Sequence, residues 1–487
     1  MRPFRTILLL TALAVPPSAP AAEKPNVIVI LADDLGWADL GAQKQAPDVK
    51  TPHLDDLAAS GVRCSSGYIT SPQCSPSRAA IITGRHQQRF GIDTIPDVPL
   101  PAEAVTLAER LGPAGYRCGF VGKWHLEPNI LCTRWFQKKL PEMVGLPPQK
   151  RRIPPAKMQP HTPGAQGFHE YFWGEMNHYR ANFARDGKDL PPGRRVLQFP
   201  GEFRVDIQTE AATAFIDRNH DRPFYLHVGY YAPHTPLEAT KKYLDRFTGP
   251  MPERRRYALA MIAAIDDGVG KIMDRLKTHG LLENTLVIFT SDNGAPLKLT
   301  RPDSPVDTDP GGWDGSINDP WKGEKGMLSE GGIRVPMLFS WKGNLPAGTV
   351  YQKPVSSLDF AATAVSLAGL PASPELDGVD LLPHLKGSND AAPHPSLCWR
   401  FWNQAAIRAG KWKFLSAAEG GEFLFDLETD GGETKNRIAE EPRVADDLRD
   451  RLARWTRDFD PPGIPQGKLN DQETRWYEHY FSVPEKP

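Results

Sequence analysis

Two residue pairs that contain aspartate, called the acidic pairs below, follow strongly apolar runs of the sequence. Asp33-Asp34 comes directly after the run 26–32, and a second pair, Asp292-Asn293, follows a run of the same kind. Continuous runs of β-branched and other apolar residues predict strands buried on both faces of a parallel sheet. Because ligands bind beyond the carboxyl ends of such strands, we expect the two pairs to converge there.

Three carboxylates at one place repel each other unless a cation lies among them. Carboxylate and amide oxygens are hard ligands, which suit Ca²⁺ or Mg²⁺ better than Zn²⁺. Either pair alone would be explained better as a helix cap or a turn. Since both follow a buried-strand pattern, we interpret Asp33, Asp34, Asp292 and Asn293 as candidate metal ligands.

A further motif of chemical interest is Cys74-Ser75-Pro76-Ser77-Arg78. Proline suits the first turn of a helix, which places Cys74 at the helix N-terminus, where an anion is stabilised. An unmodified cysteine there is either an activated thiolate or a small packed hydrophobe. Neither interpretation explains a proline and an arginine at fixed offsets from the cysteine.

The elements that must position these residues alternate between strand and helix patterns. Strands are predicted at 26–32, 116–121, 224–231 and 285–290, and helices at 53–60, 106–111, 205–218, 255–278 and 359–367. This alternation predicts an α/β fold with a large, mostly parallel central sheet flanked by helices.

The pattern changes near residue 385, where a linker-like stretch begins. Short strand patterns and one amphipathic helix pattern follow, at 396–402, 404–408, 411–415, 422–427 and 443–459. They predict a small C-terminal antiparallel sheet plus helix. We therefore expect a signal peptide at 1–22, a catalytic α/β domain at 23–385 and a C-terminal α+β subdomain at 386–487.

The N-terminus resembles an export signal. Arg2 and Arg5 precede the apolar run 7–15, and small residues extend to Ala22. The run is too short for a membrane span, which needs about 20 apolar residues; a buried N-terminal strand is the alternative. The sequence has no Asn-x-Ser/Thr site, which favours a bacterial source. We expect an exported protein without a membrane span, in the periplasm or outside the cell.

The composition excludes several function classes. The 58 lysines and arginines nearly balance 59 aspartates and glutamates, so no global basic field attracts nucleic acid. Five cysteines in 487 residues are too few for a disulfide-built scaffold. The four cysteines other than Cys74 can pair in three ways or remain free thiols, and the sequence does not choose; they are Cys64, Cys118, Cys132 and Cys398.

Two proline-rich stretches, 127–167 and 295–320, show no strand or helix pattern. The first is basic and includes Lys138 and Lys139, and the second carries Trp313. Stretches of this length are either solvated surface loops or the walls of a substrate cleft.

The motif Cys74-x-Pro-x-Arg78, followed by Thr83-Gly84-Arg85, resembles the signature of the type I sulfatases, the formylglycine-dependent branch of the alkaline phosphatase superfamily. Further segments resemble the family's motifs in the family's order, as in its arylsulfatases and N-acetylgalactosamine-6-sulfatases; they are 25–37, 122–126, 232–236, 290–294, 325–336, 406–413 and 425–427. One departure is Glu324, where relatives often have glycine, and which we expect to alter the rim of the pocket.

The resemblance implies an alkaline phosphatase-like sulfatase fold and the hydrolysis of sulfate monoesters. It implies that a maturation enzyme oxidises Cys74 to formylglycine (3-oxoalanine). It also implies one Ca²⁺ per chain, bound by the modified Cys74 and by the candidate ligands Asp33, Asp34, Asp292 and Asn293. The substrate class implied is a sulfated carbohydrate, with small aryl sulfates as a further possibility.

The resemblance also implies roles for further residues. One hydroxyl of the hydrated aldehyde attacks sulfur, and Arg78 and Lys123 hold the hydrate. His234 or Lys325 protonates the leaving alcohol, and His125 takes the proton from the second hydroxyl as sulfate is released. Taken singly, each of these would be a surface residue or a loop cap. His178 and Trp313 are further candidates for substrate contact.

Two alternative functions remain open. The same fold and aldehyde serve hydrolases of phosphate and phosphonate esters. If Cys74 is never oxidised, the chain would be a binder of sulfated glycans without catalytic activity.

Overall fold

The computed structural model describes residues 24–94, 98–191, 196–298, 306 and 312–481. The predicted signal peptide at 1–22 therefore lies outside the described residues, as does most of the stretch 299–311. Within the described ranges, no helix is long and apolar enough to cross a membrane.

The strands form one large sheet, a two-stranded sheet and a small C-terminal sheet. In chain order they are β1 Asn26–Asp33, β2 Val62–Cys64, β3 Gly67–Tyr68, β4 Arg117–Gly122, β5 Glu170–Glu175, β6 His178–Ala181, β7 Val196–Gln198, β8 Phe224–Pro233, β9 Thr285–Ser291, β10 Met337–Ser340, β11 Thr349–Tyr351, β12 Val355–Ser356, β13 Leu397–Phe401, β14 Gln404–Ala409, β15 Trp412–Ser416 and β16 Glu422–Asp426.

The large sheet has ten strands in the order β11-β2-β10-β9-β1-β8-β4-β5-β6-β7. Its centre, from β9 to β5, is parallel throughout, while β10, β6 and β7 pair antiparallel to their neighbours. β1, β8 and β9 are buried along their whole length, as their continuous apolar sequences predict.

Helices cover both faces of the large sheet. In chain order the α-helices are α1 Pro52–Ala59, α2 Cys74–Thr83, α3 Leu107–Leu111, α4 Thr133–Lys139, α5 Pro155–Met158, α6 Arg204–Asn219, α7 Lys241–Leu244, α8 Glu253–Thr278, α9 Glu330–Ile333, α10 Asp359–Leu367, α11 Leu382–Leu385, α12 Pro442–Thr456 and α13 Asp471–Phe481. One apolar core joins the sheet to α1, α6 and α8, and a second joins its other face to α2, α3 and α10. The predicted α/β fold is thus confirmed.

The segment 127–167 is not the irregular loop that we expected. It contains α4, α5 and several single 3₁₀ turns. Buried apolar side chains give it a small core of its own, formed by Cys132, Trp135, Phe136 and Leu140. The sequence pattern missed these helices because each is too short to show a sustained helical period.

The C-terminal region forms the antiparallel sheet β13-β14-β15-β16, with α12 packed against it, as predicted. The helix α13 was not predicted. The division of the chain between 385 and 386 stays a prediction. No two of the five cysteines form a disulfide, so the thiol alternative for the four undecided cysteines agrees with the structure.

A buried ionic cluster joins the C-terminal sheet to the rest of the fold. Lys413 Nζ on β15 lies 2.9 Å from Glu330 Oε1 and 2.8 Å from Glu433 Oε1, and all three side chains are fully buried. The Tyr68 hydroxyl donates to Glu330 Oε2 at 2.6 Å. Burial alone would raise the pKa of Glu330, but the charges of Lys413, Arg334 and Arg408 lower it to about 2.

We predict that Lys413→Met destabilises the fold strongly. The substitution leaves two buried carboxylates without their shared cation, which typically costs about 3–5 kcal/mol. The control is Lys411→Met, because Lys411 makes a more exposed pair with Asp426, worth about 0–1 kcal/mol. Urea denaturation followed by fluorescence measures both variants, and equal losses in the two would contradict a stabilising role for the cluster.

Candidate active site

The order of the central strands brings the predicted acidic pairs together. β1 lies between β9 and β8, with Ala32 in register with Ser291 and Asp33 in register with Pro233. The Asp292 amide donates to the Ala32 carbonyl at 3.1 Å, so both acidic pairs leave the sheet at the same edge. The parallel arrangement that the apolar runs predict is therefore what creates this site.

Cys74 joins the acidic pairs as the first residue of α2. Its sulfur and side-chain atoms of Asp33, Asp34 and His234 all lie within 4.8 Å of one another. Cys74 is 2% exposed, and the two aspartates are 0–1% exposed. The helix N-terminus and a cluster of carboxylates thus meet at one buried point.

Each carboxylate of the cluster has its own cationic partner. Lys123 Nζ lies 2.6 Å from Asp33 Oδ2, and Lys325 Nζ lies 2.7 Å from Asp34 Oδ1. Arg78 binds Asp292 through two nitrogens, at 2.8 and 2.7 Å. These partners lie far apart in the sequence, so long-range packing is needed to neutralise the site.

The cations do not compensate the three carboxylates equally. Burial raises the pKa of Asp33, but the charges of Lys123, His234 and Arg78 outweigh burial and lower it overall. Burial and the charge of Asp33 raise the pKa of Asp292 to about 7, in spite of Arg78. Asp292 is therefore the carboxylate whose negative charge the neighbouring side chains offset least.

Two buried oxygens at this point lack a hydrogen-bond donor among the residues described. They are Asp33 Oδ1 and Asn293 Oδ1. The Asn293 amide nitrogen donates to Asp34 Oδ1 at 2.6 Å, which fixes the orientation of this side chain. Oxygens without donors, beside further carboxylates, suit a hard divalent cation, so the residues present fit the metal implied by the resemblance.

His125, the predicted base, follows Lys123 on the turn after β4. Its backbone φ is 57°, and that of Asp34 is 67°, a left-handed conformation that is costly for residues other than glycine. Burial and the charges of Lys123 and Arg78 lower the pKa of His125 well below its usual value. The ring Nδ1 has no hydrogen-bond partner among the described residues.

Cys74 itself does not fit an activated thiolate. Burial raises the pKa of its thiol to about 11, although Lys123 and Lys325 act in the opposite direction. The unmodified side chain is therefore neutral near pH 7. Of the two interpretations of an unmodified cysteine, the thiolate is the weaker.

The loop that carries Lys325 is held by contacts that the sequence did not predict. Trp476 of α13 packs directly on Gly326, where an added Cβ would lie 2.3 Å from the indole ring. Gln404 Nε2 donates to the Gly326 carbonyl at 2.9 Å, and the Tyr477 hydroxyl donates to Gln404 Oε1 at 2.9 Å. The C-terminal region thus holds the loop that carries Lys325. The apolar spacing of Trp476, Tyr477 and Phe481 was the available signal for α13.

Further residues near the site differ from expectation or were missed. Glu324 is 1% exposed and accepts a hydrogen bond from the Lys298 amide at 2.6 Å, so it lies beneath the loop rather than at a rim.

Arg204, which was not predicted, donates to the carbonyl oxygens of His234 and Pro236 and so holds the loop that carries His234. His178 is exposed at the end of β6, and the Trp313 indole donates to the Ser316 carbonyl.

Residues 25–370 match the family model described as Sulfatase. The chain belongs to the sulfatase family. Residues 321–458 of this sulfatase also match a model described as N-sulphoglucosamine sulphohydrolase, C-terminal. Because its homologues are named as sulfatases, it is a sulfuric ester hydrolase. Sulfatases generally use formylglycine and a divalent metal ion, and the acidic cluster is able to bind such an ion.

Two curated relatives illustrate the match of this sulfatase. N-acetylgalactosamine-6-sulfatase of Canis lupus familiaris is 33% identical over 439 residues, covering 84% of this chain and 75% of the relative. Arylsulfatase A of Homo sapiens is 30% identical over 484 residues, covering 86% and 84%.

Solved structures share the same fold. The structure of Ps i-CgsB in complex with k-i-k-neocarrahexaose has a TM-score of 0.72 and 28% identity, and the match covers 95% of this chain and 98% of the other. A phosphonate monoester hydrolase of Agrobacterium radiobacter has a TM-score of 0.62 at 21% identity, covering 88% and 94%, which shows the fold alone.

We predict that Ca²⁺ stabilises the metal-free protein through the acidic cluster. An ion that binds only the folded state raises the melting temperature, here by about 2–5 °C at saturation. Asp33→Asn should lose most of this shift, because it removes a charge next to the oxygen that lacks a donor. Asp267→Asn is the control and should keep the shift; Asp267 belongs with His53 and Asp266 to a second group whose side chains could hold an ion. Equal shifts in both variants, measured by differential scanning fluorimetry, would place the ion elsewhere.

Proposed function

We propose that this sulfatase hydrolyses sulfate monoesters of sulfated carbohydrates through a formylglycine made from Cys74, next to a bound Ca²⁺. The observation that carries the proposal is the position of Cys74. It opens α2 among Asp33, Asp34 and His234, with cationic side chains on the surrounding carboxylates. An anionic, tetrahedral sulfate group is stabilised by such a set of fixed positive charges.

The proposed substrate class rests on relatives. One is named for an N-acetylgalactosamine 6-sulfate, and a structural neighbour was solved with k-i-k-neocarrahexaose. Small aryl sulfates are a second substrate class, supported by the 30% identity to an arylsulfatase.

Ca²⁺ would be held by Asp33, Asp34, Asp292, Asn293 and the modified side chain at position 74. When bound, it supplies positive charge to the oxygens of the sulfate group. The oxygen-rich ligand set favours this hard ion over Zn²⁺.

Arg78 and Lys123 would fix the groups around the nucleophile. Arg78 Nη1 donates to the Lys123 carbonyl at 2.7 Å, while its Nε binds Asp292. Arg78, Lys123 and Asp292 are thus linked to one another and cannot reorient singly. The hydrated aldehyde would supply one hydroxyl for attack on sulfur and a second for the release of sulfate.

The exposed fraction of the side chains differs between two groups of residues. We propose that one group transfers protons and that the other holds charge. The side chains of His234 and Lys325 are 23% and 16% exposed, whereas those of Arg78 and Lys123 are at most 3% exposed. We therefore propose that the leaving alcohol lies on the side of His234 and Lys325, one of which protonates it. His125, a neutral imidazole with a free ring nitrogen, would accept the proton from the second hydroxyl.

A maturation enzyme that oxidises Cys74 is the partner that this proposal requires. Without that enzyme the chain would be a sulfated-glycan binder, and peptide mass spectrometry of the protein from its native host distinguishes the two. Formylglycine lowers the mass of the peptide by about 18 Da relative to cysteine.

Phosphate and phosphonate esters are the second candidate class of substrate, because a phosphonate monoester hydrolase has the same fold. Turnover of 4-nitrophenyl sulfate, phosphate and phenylphosphonate by the same preparation compares the two classes. Faster turnover of either phosphorus ester would contradict the proposed substrate class.

We predict that Cys74→Ala lowers turnover of 4-nitrophenyl sulfate by at least about 1,000-fold, because the nucleophile is removed. Its melting temperature should stay close to that of the wild type, since alanine fits the buried first turn of α2. Cys398→Ala, which removes a thiol on β13, is the control and should retain turnover. Near-normal activity in Cys74→Ala would disprove the assignment of the nucleophile.

A further inference from the structure

A groove of about 510 Å³ lies at the edge of the large sheet, outside the site described above. One wall is formed by Tyr171 and Trp173 of β5 and by Arg180 of β6. The other wall is formed by the end of the basic segment 127–167, through Gln159 and Thr162. The lining of the groove thus combines two aromatic rings, one cation, neutral hydrogen-bonding groups and aliphatic side chains.

The groove lies next to the proposed sulfate site. β5 runs parallel to β4, with Trp173 in register with Gly122, the residue before Lys123. The opposite wall is attached to the same turn, because the Trp124 indole donates to the His161 carbonyl at 2.8 Å. A sugar chain that leaves the sulfate site on this side would therefore enter the groove.

Arg180 is an oriented cation whose acidic neighbour, Glu127, interacts with it electrostatically but forms no ion pair with it. Arg180 is directly opposite Trp173 in the antiparallel pair, and its guanidinium lies 5.1 Å from the centre of the Trp173 ring. The side chain is exposed, and among the residues described no carboxylate forms an ion pair with it. By contrast, Arg185 contacts Glu202 and Glu210 at 2.6 and 2.7 Å. Stacking on the indole holds the guanidinium in place while its nitrogen donors remain available.

The segment 127–167, which forms the wall opposite Arg180, is basic as a whole, although the residues that it places in the groove are neutral. The segment 127–167 has seven lysines and arginines and two glutamates, although the whole chain has a net charge of −1. Arg180 is thus the cation among the groove's lining residues, and the basic segment beside it adds to the local positive potential that favours an anionic ligand.

We infer that Arg180 and this groove bind an anionic group, either sulfate or carboxylate, on the sugar next to the one whose sulfate ester is cleaved. The inference rests on the proposed function and names a second binding subsite for the same substrate. A guanidinium binds either group through paired hydrogen bonds, and Gln159 and Thr162 offer donors and acceptors to sugar hydroxyls. The subsite would favour oligosaccharides over monosaccharides.

The test compares oligosaccharides that share the cleaved sugar and differ in its neighbour, which is sulfated, a uronate or neutral. Arg180→Gln should raise KM about tenfold for the substrate whose anionic neighbour is recognised, with little change in kcat. For the neutral neighbour we expect less than about a twofold change in KM. Arg180→Lys, which keeps the charge, should recover part of the loss. Comparing the sulfated neighbour with the uronate neighbour shows whether sulfate or carboxylate is the recognised group.

Arg185→Gln is the matched control, because Arg185 is already paired with glutamates; it should leave the preference for anionic neighbours unchanged. A KM increase of the same size for all three substrates in Arg180→Gln, or none, would overturn the inference.

Binding of the same oligosaccharides to Cys74→Ala, measured by calorimetry, needs no turnover. If the wild type hydrolyses no sulfate ester, the proposed function fails, and this binding comparison with and without Arg180 still decides on the subsite. If hydrolysis occurs and binding does not depend on Arg180, the subsite fails and the proposed function stands.

Discussion

The burial of three carboxylates at one edge of the sheet is the constraint on which the rest of the site depends. Asp33, Asp34 and Asp292 are at most 1% exposed, and like charges so close destabilise the fold unless cations offset them. Those cations come from α2, from the turn after β4 and from the loop before α9. The helix that carries Cys74 and the loops that carry the lysines therefore have to pack where they do. The same constraint explains why the site suits a divalent ion, since the protein's own charges leave the pKa of Asp292 raised.

The C-terminal region belongs to this arrangement although its strands lie in a separate sheet. Lys325 reaches Asp34 from a loop that Trp476 and Gln404 hold in place, and the fully buried cluster of Lys413, Glu330 and Glu433 joins the two parts of the fold. A buried charge that loses its partner is costly, so this cluster resists separation of the two parts. The position of Lys325 thus depends on residues more than 75 positions further along the chain.

Much of the fold and of the candidate site could be predicted from the sequence, because both rest on strong local patterns. The long apolar runs of β1 and β9 identify strands, and polar residues directly after them lie at the site by the geometry of parallel sheets. The edge strands β6 and β7 and the short helices of 127–167 could not be predicted, since few of their residues are buried and their order comes from packing. The motif resemblance identified Lys123, His125, His234 and Lys325. It gave no information on Arg204 or α13, whose contacts join distant segments.

The distribution of charge explains how a nearly neutral protein attracts an anionic substrate. Fields of exposed charges decay over about 8 Å at physiological ionic strength, so a net charge of −1 says little about any single surface. In the proposed sulfate site the positive and negative charges are close to balanced, so the site attracts a compact anion strongly only at short range, where water is excluded. The lysines of 127–167 and Arg180 are exposed, so their positive charge acts on solvent and on approaching ligands. Long-range attraction and local chemical stabilisation are therefore supplied by different residues. The specificity for a sugar chain can thus change while the residues around Cys74 stay the same.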